Sequence, residues 1–445
     1  MINRLLINSI VILFLVGCSK ISQIDTPSPL PPIQSETIPS TVEVTSTNPI
    51  IKSFTPPRTV ALSRTPTKTK KPSPSLTLTP SIDFQIKTQC LEIKDQFPAG
   101  AKVEGNLVFS MQEDPVKTDI YLQNLQTKHI VRLTPEHNEG YLMDDVSSKG
   151  KWLAYELVKH SASEPKKILG RYLIIATANG QTYRIIPWKE NWNYINGWRD
   201  EEHIMISGIY DLSKLIFRAP LIVYNPFKDE SRTYTADFPD IFHGAQILWY
   251  GSSDTLAVYD PSFTRVIYPR NGEGWPIVLW DVQNNVQLAQ IQGDEDWGSS
   301  PRWSPDGSHV VFAKGPSEYQ DDLYSLSRDG AIMKLTDLGT IIYRRSIGEL
   351  SWSQDGQNIA FWLYEKNPPQ LVIYNIGLKS ATNYCIQGGI NGSEPPIWLP
   401  NNRQLILSNT WEDGYSHTIF MDIVDGYAVK LGDGMIGYGW MEAIP

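Results

Sequence analysis

The side chains best equipped for chemistry in this 445-residue chain are acids, aromatics and arginines gathered in a few short stretches. Trp188, Trp192 and Tyr194 form one group, Phe242 and His243 a second, Asp294, Glu295, Asp296 and Trp297 a third, and Tyr343, Arg344 and Arg345 a fourth. Aromatic planes beside carboxylates and guanidinium groups suit the faces of sugars and the centres of protein interfaces equally well. The acidic run 294–296 could supply an acid and a base for glycoside cleavage, which needs two carboxyl groups at a set separation. Adjacent acids in one loop are commonplace, so the groups are read together as a binding rim and no catalytic residue is assigned. Metal chemistry finds no footing. Seven histidines are scattered singly, without the His-x-His or His-Glu-x-x-His spacing that brings two imidazoles to one ion. Three cysteines, at 18, 90 and 385, are too few for a disulfide scaffold or a Cys-rich zinc site. No cofactor is expected.

Positioning those groups falls to one repeated unit. Its clearest copies are Trp303-Ser304-Pro305-Asp306-Gly307 before Val310-Val311-Phe312, and Trp352-Ser353-Gln354-Asp355-Gly356 before Ile359-Ala360-Phe361. Weaker copies begin at Val146, Trp198, Trp249 and Trp398, so the anchors recur every 46–54 residues. Each unit reads as a strand ending at the anchor, a tight turn, a β-branched or aromatic strand, a third strand and a second hairpin. That is the period and pattern of four-stranded propeller blades. Seven second strands begin near 107, 152, 204, 256, 310, 359 and 405, and no amphipathic helical stretch of useful length lies between 100 and 445. The fold class is therefore all-β, a seven-bladed propeller with six and eight as the neighbouring counts. The first unit lacks a tryptophan strand, whereas Ile436-Gly437-Tyr438-Gly439-Trp440 is such a strand with no unit after it. Placing the tail in the first blade closes the ring and removes both free edges. The turn carboxylates Asp306 and Asp355 are expected to cap their own turns, and the anchor tryptophans to fill the seams between blades.

Strand direction separates two faces. The first-to-second and third-to-fourth connections are tight and share one; the second-to-third and fourth-to-first connections are long and share the other. Every candidate residue named above falls in the long set, so recognition is expected on that rim. Composition narrows the partner. Residues 1–81 carry eight Lys/Arg against three Asp/Glu, which leaves a net charge of -14 on 82–445 out of -9 for the chain. So acidic a head does not suit nucleic acid, whose phosphates call for a basic footprint. The head is expected to be monomeric.

The amino terminus sets the compartment. Arg4 precedes a largely apolar stretch from Leu5 to Val16, too short to span hydrocarbon but of the length of an export signal. It ends in Leu15-Val16-Gly17-Cys18, which resembles the lipobox of bacterial lipoproteins. That resemblance implies cleavage after residue 17, lipid on the Cys18 thiol and anchoring to a cell or outer membrane, facing away from the cytoplasm. Residues 18–85 then read as a linker: in 22–81, ten Ser, twelve Thr and twelve Pro make 34 of 60 residues, too few apolar groups to offset ordering. Lys68, Lys70 and Lys71 within it are read as solvated. Residues 86–445 form the propeller. An oxidising exterior permits a bridge between Cys90 and Cys385 that pins the entry segment to the sixth blade; against it stands the distance between a first-blade neighbour and that blade.

The Trp-Ser-Pro-Asp-Gly turns and the Arg132-Leu133-Thr134 and Lys334-Leu335-Thr336 strand ends resemble the WD-like repeats of the TolB family, strongly at 301–312 and 350–362. The resemblance implies a propeller and a docking habit. TolB proper has six blades behind an α/β domain, for which the roughly twenty residues between linker and first unit leave no room. Similar repeats gate the prolyl oligopeptidases, but no Gly-x-Ser-x-Gly elbow occurs in this sequence. The expectation is a non-catalytic, surface-tethered propeller that binds a cell-envelope protein, with carbohydrate binding or glycan cleavage, and a ligand-free structural head, as the alternatives.

Overall fold

A computed structural model describes residues 84–442, except for 112–118, 135–138, 148, 162, 165–166, 210–219, 235–245, 249–255, 270–275, 292–300, 316–320, 342–345, 365–368, 388–393 and 411–415. Cys18, the signal and most of the linker lie outside these residues. What is described is a ring of seven small sheets, a seven-bladed propeller. Its one helix among the described residues is a single turn, Leu338–Ile341.

Blade one takes its innermost strand from the tail. Met435–Met441 pairs antiparallel with Asn106–Met111, which is followed by Ile120–Asn124 and Ile130–Arg132. Trp440 faces Leu107 across that ladder, so the ring closes as the sequence predicts. Blades two and three run from Glu139–Val146 to Thr182–Pro187 and from Trp192–Trp198 to Glu230–Tyr234. Blade five runs from Arg302–Trp303 to Ile332–Lys334, blade six from Ser346–Trp352 to Ser380–Gln387, and blade seven from Ile397–Trp398 to Tyr427–Asp433.

Blade four departs from the predicted alignment. Its antiparallel set is Leu256–Tyr259, Arg265–Pro269, Ile277–Asp281 and Val286–Ile291, with Gln246–Leu248 added in parallel at the inner edge. Leu256–Tyr259 is thus the first strand, not the second, and Tyr259, not Trp249, is the anchor. The turn after it shows why. Asp260-Pro261-Ser262-Phe263-Thr264 makes the same backbone bonds as Ser304-Pro305-Asp306-Gly307-Ser308: Asp260 N donates to Arg265 O and Phe263 N to Asp260 O, as Ser304 N does to His309 O and Gly307 N to Ser304 O. Phe263 even holds φ 56° where the motif has Gly307 at 67°. With phenylalanine at the glycine position and tyrosine at the tryptophan position, the unit carries none of the letters by which the others are found.

Core residues fill the seams between neighbouring blades. One cluster joins blades four and five (Val258, Leu279, Trp303, Phe312), one blades five and six (Val311, Leu323, Ile347, Phe361), one blades six and seven (Trp362, Ile373, Trp398, Leu407). The indoles also stitch the seams. Trp303 donates its Nε1–H to Val258 O (3.0 Å), Trp352 to Arg302 O (3.1 Å) and Trp398 to Ser351 O (3.2 Å), each a carbonyl at the first strand of the preceding blade.

The entry segment joins no blade-one strand. Gln85–Thr88 adds in parallel to the fourth strand of blade six, and Ile93–Lys94 adds in parallel to the fourth strand of blade seven. Phe84 and Ile86 pack into the five–six seam, Leu91 and Ile93 into the six–seven seam. This path brings Cys90 to Cys385, whose Cα atoms lie 4.7 Å apart in a disulfide. The distance that counted against the bridge disappears because the segment runs along the outer rims of blades six and seven before reaching blade one.

Candidate functional site

The predicted rim is described only at Trp188, Trp192 and Tyr194. Trp192 is a correction: it opens the first strand of blade three and is 2% exposed. It meets Tyr224 edge-on at 4.9 Å and Trp188 at 5.5 Å, in the seam between blades two and three. An aromatic residue directly after a long loop is also the first place where an inner strand can bury one, and here burial decides. Trp188 is partly buried on the same cluster, and its Nε1–H donates to Trp192 O at 2.9 Å. Tyr194 is partly buried against the seam of blades four and five. Phe242, His243, Asp294, Glu295, Asp296, Trp297, Tyr343, Arg344 and Arg345 lie outside the described residues.

The Trp188 ring carries something the sequence did not signal. The Arg171 guanidinium stacks on it at 3.7 Å, forks onto the buried carboxylate of Glu156 (Nη2–Oε2 2.7 Å, with Nε to Oε1) and donates to Asn193 O at 2.8 Å. Arg171 lies in the first half of the third strand of blade two, Ile168–Thr177, and Trp188 follows the fourth, so the stack stands towards the long-loop end of the two–three seam. A planar cation held by a carboxylate below and an aromatic face beside it is fixed in orientation before any ligand arrives.

Further round the same face, Glu394 precedes the first strand of blade seven. Its carbonyl accepts the Trp362 Nε1–H at 3.0 Å. Glu394 is exposed as a residue, yet desolvation by the groups around its carboxyl pushes that carboxyl up. Tyr438, close enough to feel that charge, hydrogen-bonds its hydroxyl to Ser110 Oγ at 2.8 Å, and its own ionisation is raised, burial being the main cause. Nothing in the spacing of residues 391–398 marks this acid.

Elsewhere the described carboxylates serve the scaffold. Asp306 accepts Ser304 Oγ (2.6 Å) and Ser308 N (3.0 Å), and Asp355 accepts Ser353 Oγ (2.6 Å) and Gln357 N (3.0 Å), as turn caps do. Burial works against the Asp306 anion, but those donors hold its carboxyl below the usual range. The Leu-Thr strand ends are clamps. Thr336 Oγ1 receives Leu323 N and donates to Asp322 Oδ1, both at 2.9 Å; Thr134 does the same for Ile120 N and Asp119 at 3.3 and 3.1 Å. Lys334 and Arg132 then pair with Asp322 (2.9 Å) and Asp119 (2.7 Å). No group of three His, Cys, Asp or Glu among the described residues could hold a metal.

Two concavities open on the short-turn face, opposite the predicted rim. One of about 460 Å³ lies at the closing seam, among Lys102, Glu104, Leu399, Arg403, Asp425 and Trp440. Arg403 there bonds both Asp422 and Asp425, and Trp440 donates to the Glu104 main-chain carbonyl at 2.9 Å. The other, about 280 Å³, lies between blades five and six beside His309, Trp352 and Met333.

No family model matches the chain, and no curated protein matches it. Solved structures that resemble it include TolB of Acinetobacter baumannii, 11% identical over 75% of this chain and 67% of that one, with a TM-score of 0.40. An oligogalacturonate lyase of Vibrio parahaemolyticus is 12% identical over 74% and 85%, TM-score 0.46. A periplasmic gluconolactonase of Pseudomonas aeruginosa is 13% identical over 77% and 100%, TM-score 0.45. Two of the three are enzymes, and at these identities none assigns an activity or a ligand to this chain.

Proposed function

We propose that this chain is an exported lipoprotein, anchored through Cys18, whose seven-bladed head works by holding a cell-envelope protein on its long-loop face and performs no chemistry. The observation that carries the reading is the Cys90–Cys385 disulfide. Such bonds persist outside the cytoplasm and are rare within it, which agrees with the export signal and lipobox-like Leu15-Val16-Gly17-Cys18. The binding half draws on the Arg171–Trp188 stack, a preorganised cation and ring at the long-loop end of a rigid seam, and rings and arginines of this kind anchor protein interfaces.

Two measurements test it. Cys18→Ser should shift the protein from the membrane to the soluble fraction; unchanged retention would remove the anchor. Cross-linking in intact cells should give an adduct with an envelope protein that Arg171→Ala and Trp188→Ala abolish while the head stays folded. An adduct indifferent to both would place recognition elsewhere.

A glycan-cleaving reading is favoured by one residue. A carboxyl pushed up by burial, as at Glu394, is suited to donate a proton to a leaving sugar. Turnover of an oligosaccharide that Glu394→Gln eliminates would replace the binding reading.

A further inference from the structure

The strap formed by the entry segment repeats itself, and the repeat continues upstream. Its two docked pieces share a pattern, an apolar pair flanking one polar residue: Phe84-Gln85-Ile86 on blade six and Leu91-Glu92-Ile93 on blade seven. Each pair packs over the seam between its own blade and the preceding one. Each second member faces an alanine at the start of the fourth strand, Ile86 beside Ala381 and Ile93 beside Ala428. Along the rim, the step from one blade to the next is seven residues. Stepping back eight from Ile86 reaches Leu78, in Leu76-Thr77-Leu78, the same pattern once more.

Blade five has an edge to receive it. Among the described residues, its outermost strand, Ile332–Lys334, has no neighbour on its far side, unlike the fourth strands of blades six and seven. Apolar surface is uncovered there: Met333 is 42% exposed and Val286, on the facing edge strand of blade four, 45%. Leu288, Tyr324 and Ile332 are only partly buried on the four–five seam, where the incoming pair would lie. The proline that follows is no obstacle. Gln89 N and Leu91 N donate to blade six, so odd-numbered amides of the strap point inward. An eight-residue step gives Pro80 the place of Thr88, whose amide faces outward, and a proline is tolerated where no ladder bond is needed.

We infer that residues 76–79 of this chain dock in parallel along Ile332–Lys334 as a fifth strand of blade five, with Leu76 and Leu78 over the four–five seam, so that the strap spans three blades. The occupant is the chain's own linker, chosen over a second copy or a foreign strand because covalent continuity delivers it to this edge in the required direction, with one residue more than the seven-residue step between blades six and seven. The inference is independent of what the head binds.

Hydrogen exchange on the full chain, read by mass spectrometry, tests it. In the natural protein the peptide spanning 332–334 should exchange at least tenfold more slowly than in a Leu76→Lys/Leu78→Lys variant, while peptides at 380–383 and 428–429 exchange alike in both. Equal rates at 332–334 would overturn the inference. Register is checked independently: Thr79→Cys with Met333→Cys should oxidise to an intramolecular bridge, whereas Thr65→Cys with Met333→Cys should not. Bridging by both pairs to the same extent would mean a freely moving linker and would also overturn it.

Discussion

At the residue scale, one short polar side chain ties two strands of a blade at its long-loop end. Thr336 receives Leu323 N and donates to Asp322, a buried carboxylate whose pKa is raised by that burial. Replacing it by valine keeps the volume, takes the partner from the Leu323 amide and removes one donor from the acid, which keeps Lys334 and Gly339 N. Thr336→Val should cost about 1–3 kcal/mol in urea unfolding, and Thr336→Ser much less. Asp422 behaves in the opposite way. Burial pushes its carboxyl up, but Arg403, Gln404 and the amides of Val424 and Asp425 outweigh it and hold the group below the ordinary range. A depressed carboxyl adds stability that is complete above its unfolded pKa, near 4, and is lost as pH falls through the folded value. Asp422→Asn should therefore be less stable than the natural protein at pH 7, and the gap should close on acidification below about pH 4. Thermal unfolding at stepped pH reads both points; a gap independent of pH would assign the loss to packing alone.

At the scale of the element, ring closure rests on the tail strand and the ring it carries. Trp440 is cradled by two glycines with positive φ, Gly105 at 95° and Gly150 at 71°, and a Cβ on either would overlap its indole. Gly105→Ala should thus destabilise by clash and by backbone strain together, and Trp440→Ala, the loss of a partly buried ring, by less than the ~3–5 kcal/mol of a core tryptophan, with early exchange of the Met435–Met441 amides as the signature. Closure was legible because an orphan tryptophan strand and an incomplete first unit are complementary defects in a linear text. Blade four was not, since Tyr259 and Phe263 do the work of tryptophan and glycine there while Trp249, outside the pattern, draws the alignment. Trp192 was misplaced because sequence gives order along a strand but not where a loop stops and the strand's burial begins. The strap is hard to read for a related reason: an added strand is held largely through backbone groups, so Gln85 or Lys87 could be many residues without changing that pairing, and its only mark in the sequence is a three-residue apolar-polar-apolar pattern.

At the scale of the whole molecule, the route by which the chain joins the ring determines how the head responds to a pull. Tension applied at the amino-terminal side crosses the four paired residues Gln85–Thr88 and then a covalent bond, Cys90 to Cys385. The load passes into blade six and bypasses the closing strand. Stretched between its two ends, the oxidised protein can lengthen only outside that bond, because the 295-residue separation it spans is locked. In single-molecule stretching, reduction should therefore release roughly 1,000 Å of additional contour, at about 3.3–3.6 Å per residue. An oxidised chain that already extends to full contour would show that the bond is not formed. The same bond sets what a pull can undo: drag, shear or a tugging partner can peel the strap or draw out the tail, but the blades threaded between Cys90 and Cys385 cannot be drawn straight until chemistry, not force, opens the clasp.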